Sequence, residues 1–398
     1  MTVRPPAPST RWLIASLALF WLSGCPKQDA FVPPDLFYLF ATYTVGKNPT
    51  SVTTADFNQD GLTDLITTNI SSNSLSVLFG NGDGTFKESA QIDISKDPRA
   101  LTLDDFNKDG LLDIAVACSG SDQVAVLYGS PQGHFRIGPR YAVHRTPVSI
   151  ASGDVNGDGT IDLAVALRND KIVLLLGDGD GTFREGARYE YGDTPTSLAM
   201  RDLNGDGKQD LVVTNGGPMS SAVSIWLGKG DGAFLTPTDY RTGKRPLVAG
   251  FADFNNDRRT DLLVINGEMD SFTTFMGNGD GTFQKGRDFG ADSGPVYGLA
   301  GDFDGDSFAD VAIANVQSNN VSILFGRGDG SFRFPPFNYR TKTGPFAIAT
   351  LHLRTGETEE PGLVMANNGA GSLSIFLHRG LKGAVPPPAP PETRSPSS

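Results

Sequence analysis

Carboxylates return in a fixed rhythm along this chain of 398 residues. The pattern Asp-x-Asn/Asp-x-Asp-x-x-x-Asp is written six times, at spacings of 48 to 51 residues. The copies are Asp56, Asn58, Asp60 and Asp64; Asp105, Asn107, Asp109 and Asp113; Asp154, Asn156, Asp158 and Asp162; Asp202, Asn204, Asp206 and Asp210; Asp253, Asn255, Asp257 and Asp261; and Asp302, Asp304, Asp306 and Asp310. Acids packed this closely call for a cation. Ca²⁺ takes about 6 to 8 oxygen ligands from carboxylates, amide carbonyls, backbone carbonyls and water, and a loop that alternates ligand with spacer wraps such an ion. Positions one, three, five and nine offer side chains. By analogy with other calcium loops, position seven lends its backbone carbonyl: Leu62, Leu111, Thr160, Lys208, Arg259 and Phe308. Up to six Ca²⁺ are expected.

Position six is Gly61, Gly110, Gly159 and Gly207 in the first four copies, which suits the positive φ of a sharp turn around an ion. Arg258 and Ser307 stand there in the last two copies, so those sites are expected to be weaker or more strained. The sixth copy offers four carboxylates where the others offer three, which argues for strong binding there. An EF-hand shares the opening of the pattern but needs a Glu at position twelve and flanking helices. Here position twelve is Thr67, Val116, Val165, Val213, Val264 or Ile313, each inside a short apolar run that reads as a strand. The plain alternative is a set of Asp/Asn/Gly turns that hold no metal.

The elements that must position these loops repeat with them. Pro49, Pro98, Pro147, Pro195, Pro246, Pro295 and Pro345 each open a repeat, giving seven units for six acid loops. The seventh reads Leu351-His352-Leu353-Arg354-Thr355-Gly356 where carboxylates would stand. Each unit runs strand, acid loop, strand, polar turn, strand, glycine-rich turn, strand. The glycine-rich turn is Gly80 to Phe86, and it recurs as Gly177 to Phe183, Gly228 to Phe234, Gly277 to Phe283 and Gly326 to Phe332, with Gly129 to Phe135 degenerate. Its Phe is expected to pack between blades. No helix and no Gly-Lys-Ser/Thr follows these glycines, which argues against a phosphate cradle. Runs such as Ile172 to Leu176 are apolar on both faces, as a sheet sandwiched between sheets requires. A period in this range marks solenoids and propellers, and seven four-stranded antiparallel blades fit a closed β-propeller. The last repeat stops near Gly380 without a fourth strand, while an extra strand, about Phe37 to Val45, precedes the first proline. That strand is expected to complete blade seven and lock the ring.

These residues resemble the FG-GAP and VCBS repeat family, whose propellers include the head of integrin α subunits. The likeness covers Leu36 to Arg379 and is sharpest in Asp154-Val155-Asn156-Gly157-Asp158-Gly159-Thr160-Ile161-Asp162 and in the Gly-Asn-Gly-Asp-Gly-Thr-Phe turns. Phe-Gly survives as Phe79-Gly80 and Phe325-Gly326, and the Gly-Ala-Pro half is not legible. The resemblance implies calcium-binding blades in an all-β fold. It leaves function open, since the family runs from adhesion receptors to parts of polysaccharide-degrading enzymes.

Residues 1–24 read as an export signal, with Arg4 and Arg11 ahead of the apolar run Trp12 to Gly24. Leu22-Ser23-Gly24-Cys25 resembles a bacterial lipobox, which implies lipidation of Cys25, and Pro26 in place of Asp favours the outer membrane. Residues 25–35 then form a tether, 36–380 the propeller and 381–398 a disordered Pro-rich tail. With Cys25 lipidated, Cys118 has no disulfide partner and reads as a buried structural thiol. The formal net charge of −12 becomes −14 without the signal, and six Ca²⁺ bring it to about −2. Much of the acidity is thus metal demand, and nothing points to nucleic acid as a partner.

The expected function is that of a calcium-binding, lipid-anchored cell-envelope propeller, a non-catalytic binding, adhesion or protein-interaction scaffold. Its partner would be an envelope or extracellular protein or glycan. Acid loops and glycine-rich turns share one face. The opposite face gathers Lys47, Lys96, Arg145, Lys244, Arg245 and Lys342, which suit an anionic glycan or a protein, or are simply solvated. The rival reading is a cell-surface polysaccharide lyase or hydrolase, or an accessory carbohydrate-binding subunit. Of His134, His144, His352 and His378, only His144 beside Arg145 makes a local combination of interest, and no nucleophile motif accompanies it.

Overall fold

The computed structural model describes residues 36–379 apart from 88–89, 169–170, 191, 218–219 and 356–357, with the side chains of 354–360 also left aside. The expected export signal, Cys25, the expected tether and the Pro-rich tail lie outside the described residues. The rest is seven four-stranded antiparallel sheets. Among the described residues there is no α-helix, only a 3₁₀ turn at Ile70–Ser72.

Each repeat proline is the first residue of a blade's inner strand, from Pro49–Ala55 in blade one to Pro345–Thr355 in blade seven. In every blade the register slips just after that proline. Pro brings no N–H to the ladder, so a bulge at the strand's start is the natural place for it. The third blade shows the unit: Pro147–Gly153, Asp162–Leu167, Lys171–Gly177 and Phe183–Glu190, paired in that order. Inner strands line a central channel. Second strands are wholly buried in all of the first six blades, since both faces meet a neighbouring sheet.

Seven apolar cores hold the ring, one between each pair of adjacent blades. The core between blades seven and one joins Leu351, Val364 and Leu377 to Val52, Leu65 and Leu78. It also takes in Phe40, Ala41 and Val45 of the N-terminal segment. The strand Phe37–Thr44 pairs antiparallel with Ser372–His378, and blade seven is ordered N-terminal strand, Ser372–His378, Thr358–Asn367, Pro345–Thr355. Where the seventh acid loop would lie, two long strands continue into a hairpin with Thr355 opposite Thr358.

Candidate metal centres

Each acid loop joins an inner strand to a second strand, and its ninth residue is the first of that second strand. These six aspartates, Asp64, Asp113, Asp162, Asp210, Asp261 and Asp310, are fully buried. Each carboxylate accepts two backbone N–H groups, one from position two of its own loop and one from the glycine that opens the glycine-rich turn. Asp64 takes Phe57 at 3.0 Å and Gly80 at 2.8 Å; Asp310 takes Phe303 and Gly326, both at 2.7 Å. The same pair of bonds recurs at Asp113, Asp162, Asp210 and Asp261. Position nine therefore bolts the acid loop to the glycine-rich turn, a role that spacing alone does not reveal.

Burial pushes the pKa of all six upward, most at Asp113, to about 6, and at Asp310, to about 7. The backbone N–H bonds pull in the other direction, and neighbouring loop acids push further up. A carboxylate this costly to ionise gains from a cation close by.

Position one caps the turn. Asp56 accepts the N–H of Asp60 at 3.1 Å and of Gly61 at 2.8 Å, and Asp60 in turn accepts the N–H of Leu62 at 2.9 Å. The backbone is left-handed at position six in all six copies, including Arg258 at φ 66° and Ser307 at φ 69°. Position four is left-handed as well, from Gln59 at φ 57° to Gly305 at φ 78°. A side chain in that region is strained, so the strain expected at Arg258 and Ser307 is present in the backbone.

The donor set fits a hard cation. In copy six, ligand atoms of Asp302, Asp304 and Asp310 all lie within 4.8 Å of one another, the one such trio of His, Cys, Asp or Glu among the described residues. In copies one, two, three and five the Asn at position three instead donates its amide to the Asp at position five, as in Asn58 to Asp60 at 3.0 Å. In copy four Lys208 reaches Asp206, with Nζ to Oδ2 at 3.4 Å. Copy six carries its own cation: the Arg333 guanidinium lies 3.6 Å from Asp304 and 3.5 Å from Asp306.

Two further sets of residues matter and escape a search for acids. Tyr43, Tyr141 and Tyr240 on outer strands each accept the N–H of the next blade's glycine-turn Phe (Phe86, Phe183 and Phe283) at 2.9 to 3.0 Å, with the rings edge to face. The signal was present as an aromatic residue six positions ahead of the repeat proline. Second, Asn69, Asn266, Asn315 and Asn367 are buried and donate to a hydroxyl seven residues on, at Ser76, Thr273, Ser322 and Ser374. Blades two and three place Cys118 and Leu167 at the asparagine position and Ala125 and Val173 at the hydroxyl position, so there the polar pair is replaced as a unit by an apolar one. Cys118 is buried, with its thiol pushed up to about 12 by burial.

On the opposite face Lys47, Lys96, Arg145, Lys244, Arg245 and Lys342 are all exposed. His144 and Arg145 both hold positive φ, at 57° and 110°. None of the four histidines joins a converging trio among the described residues.

Seven antiparallel four-stranded blades with acidic loops on one face define a seven-bladed β-propeller. The sequence signature described as the FG-GAP-like repeat matches residues 56–116, 105–165, 154–213, 202–264 and 253–313, and the chain belongs to that family. No curated protein matches it in sequence. Among solved structures it is similar to BBS1N in complex with ARL6DN soaked with mercury, at 12% identity and TM-score 0.60, over 88% of this chain and 99% of that one. The lead-soaked crystal of the same complex matches at 12% identity and TM-score 0.58, over 86% and 96%. A catalytically inactive variant of virginiamycin B lyase from Staphylococcus aureus, with quinupristin, matches at 14% identity and TM-score 0.57, over 86% and 99%. At such identities the likeness is one of fold.

Proposed function

We propose that this protein is a calcium-loaded, lipid-anchored propeller of the bacterial outer membrane that acts without catalysis, as a binding, adhesion or protein-interaction scaffold. The observation that carries the calcium reading is the sixfold recurrence of one wrapped loop. Each carries oxygen-bearing side chains at positions one, three, five and nine on a backbone that is left-handed at positions four and six, and in copy six three of those acids converge within 4.8 Å. Those side chains and the position-seven carbonyls would hold the ion. Bound there, Ca²⁺ would offset the charge of the buried position-nine carboxylate and stiffen the face that carries the glycine-rich turns.

The scaffold reading is supported by the rigid ring and by a neighbour of the same fold that was crystallised in complex with ARL6DN. An envelope or extracellular protein or glycan is the partner class. The lipid anchor rests on Leu22-Ser23-Gly24-Cys25. A Cys25→Ala chain should leave the membrane fraction; retention equal to the wild type would remove the anchor. The second reading is a cell-surface polysaccharide lyase or hydrolase; another neighbour of the same fold is a lyase, of virginiamycin B and not of a carbohydrate, so it shows only that such a ring can carry catalysis. A panel of uronic-acid polysaccharides, assayed with calcium present, decides between the two: product release would make the protein an enzyme.

A further inference from the structure

The channel opens on the face away from the acid loops into a cavity of about 690 Å³. Among the described residues its lining includes Arg99, Arg168 and Arg245 and no carboxylate, in a chain whose acidic residues outnumber its basic ones 45 to 33. Arg99 follows a repeat proline. At the same place in other blades stand Thr50, Val148, Leu247 and Phe346, all uncharged.

Arg99 is half-buried and held in place, its Nε donating to Ser119 Oγ at 2.8 Å while that hydroxyl donates to the carbonyl of Asp97 at 3.2 Å. Neither Arg99 nor Arg168 forms an ion pair with a carboxylate among the described residues. Arg245 meets only the exposed Glu268, at 4.0 Å. Burial first and the charge of Arg168 second push the Arg99 pKa down, so the two guanidinium groups feel one another. The Asp97 carboxylate pulls the other way but forms no ion pair with either guanidinium among the described residues, so two like charges at this cavity wall favour an incoming anion. Across the channel the Tyr297 hydroxyl, its pKa raised by burial, has no hydrogen-bond partner among the described residues.

We propose that this channel mouth binds a small organic oxyanion, a carboxylate or phosphate ester on a sugar-sized body, with Arg99 and Arg168 taking the anion and Tyr297 and Phe346 facing the body. Guanidinium forks match both oxyanions, and the cavity is in the size range of small-ligand sites. The site gives a ligand class to the binding reading above and rests on that reading, but it touches none of the acid loops.

The test is calorimetric titration of the full chain, with calcium present, against digalacturonate, glucose 6-phosphate and neutral maltose. At least one anionic sugar should bind roughly tenfold more tightly than maltose, and Arg99→Gln and Arg168→Gln should each weaken it by roughly tenfold. Binding of digalacturonate alone assigns a carboxylate sugar, and of glucose 6-phosphate alone a phosphate ester. If neither anion outdoes maltose, or both substitutions leave binding unchanged, the site is overturned. Should Arg99→Gln lower the melting temperature, the exposed Arg168 carries the test alone. Failure here with a calcium-dependent melt intact would sink this site and not the calcium reading; anion binding with a calcium-blind melt would do the reverse.

Discussion

Tyr43 Oη accepts the backbone N–H of Phe86 at 2.9 Å, and the two rings meet edge to face at 5.7 Å. One residue lies near the N-terminus of the described chain and the other in blade one, yet the contact is the same one that Tyr141 makes with Phe183. The N-terminal strand therefore does for blade seven what an ordinary outer strand does for the others. A chain starting at Lys47 loses that strand, this clasp and the core contribution of Phe40, Ala41 and Val45. It should melt lower than a chain starting at Asp35 and associate through the bared edge of Ser372–His378. Calorimetry and light scattering on both would show it; equal melts with both monomeric would mean that the ring does not depend on this strand.

Arg333 changes the expected ranking of the acid loops. Four carboxylates in copy six argue for the strongest site, but the guanidinium already lies against Asp304 and Asp306. Arg333→Ala should raise calcium affinity at that loop by roughly tenfold, as expected from removing a cation of the same sign as the ligand. Anomalous scattering from crystals at limiting calcium reads the occupancy at Asp310 directly. Occupancy unchanged by the substitution would show that Arg333 and the ion do not compete.

The chain also contains its own control for the buried asparagines. Asn266→Leu alone removes the donor to the Ser271 and Thr273 hydroxyls, and Thr273 keeps only its bond to Asp288 at 2.6 Å. A loss of about 0.5–1.5 kcal/mol is expected. Adding Thr273→Val reproduces the Leu167 and Val173 pair of blade three and should recover part of that loss. Denaturant melts of the single and double variants measure the coupling, and strictly additive losses would contradict it.

Asp310 gives a pH signature. Its pKa in the fold is raised to about 7 by burial, so without metal the folded state binds a proton that the unfolded state releases near the ordinary carboxylate value. Stability from this group is therefore full at acid pH and falls as pH rises through the window from about 4 to about 7. Asp310→Asn removes the titration. In chelator, the wild-type advantage over the variant should shrink as pH climbs from about 4 to about 7. A constant gap would mean that Asp310 does not titrate in that window.

Much of this was legible from spacing. The acid loops, the seven prolines and the glycine-rich turns fix blade number and strand order because each marks a place where the backbone must turn sharply or lacks an N–H. What spacing could not show is partnership across blades. The second bond of Asp64 goes to Gly80, 16 residues on, and the Tyr43 clasp crosses from blade seven to blade one. Arg333 reads in sequence as an ordinary residue after a turn Phe, and only the fold brings it to Asp304. Arg99 is likewise silent in sequence, since its meaning comes from the uncharged residues that ring the channel with it.

The most direct measurement is the thermal melt of the chain starting at Asp35, with and without calcium. A ligand that binds only the folded state adds about 2.7 kcal/mol at a hundredfold excess over its dissociation constant. Several loops filled together should therefore raise the melting temperature by many degrees, with Asp154→Ala removing part of the rise. Coincident melts in calcium and in chelator would contradict the account, leaving the six acid loops as turns that hold no metal.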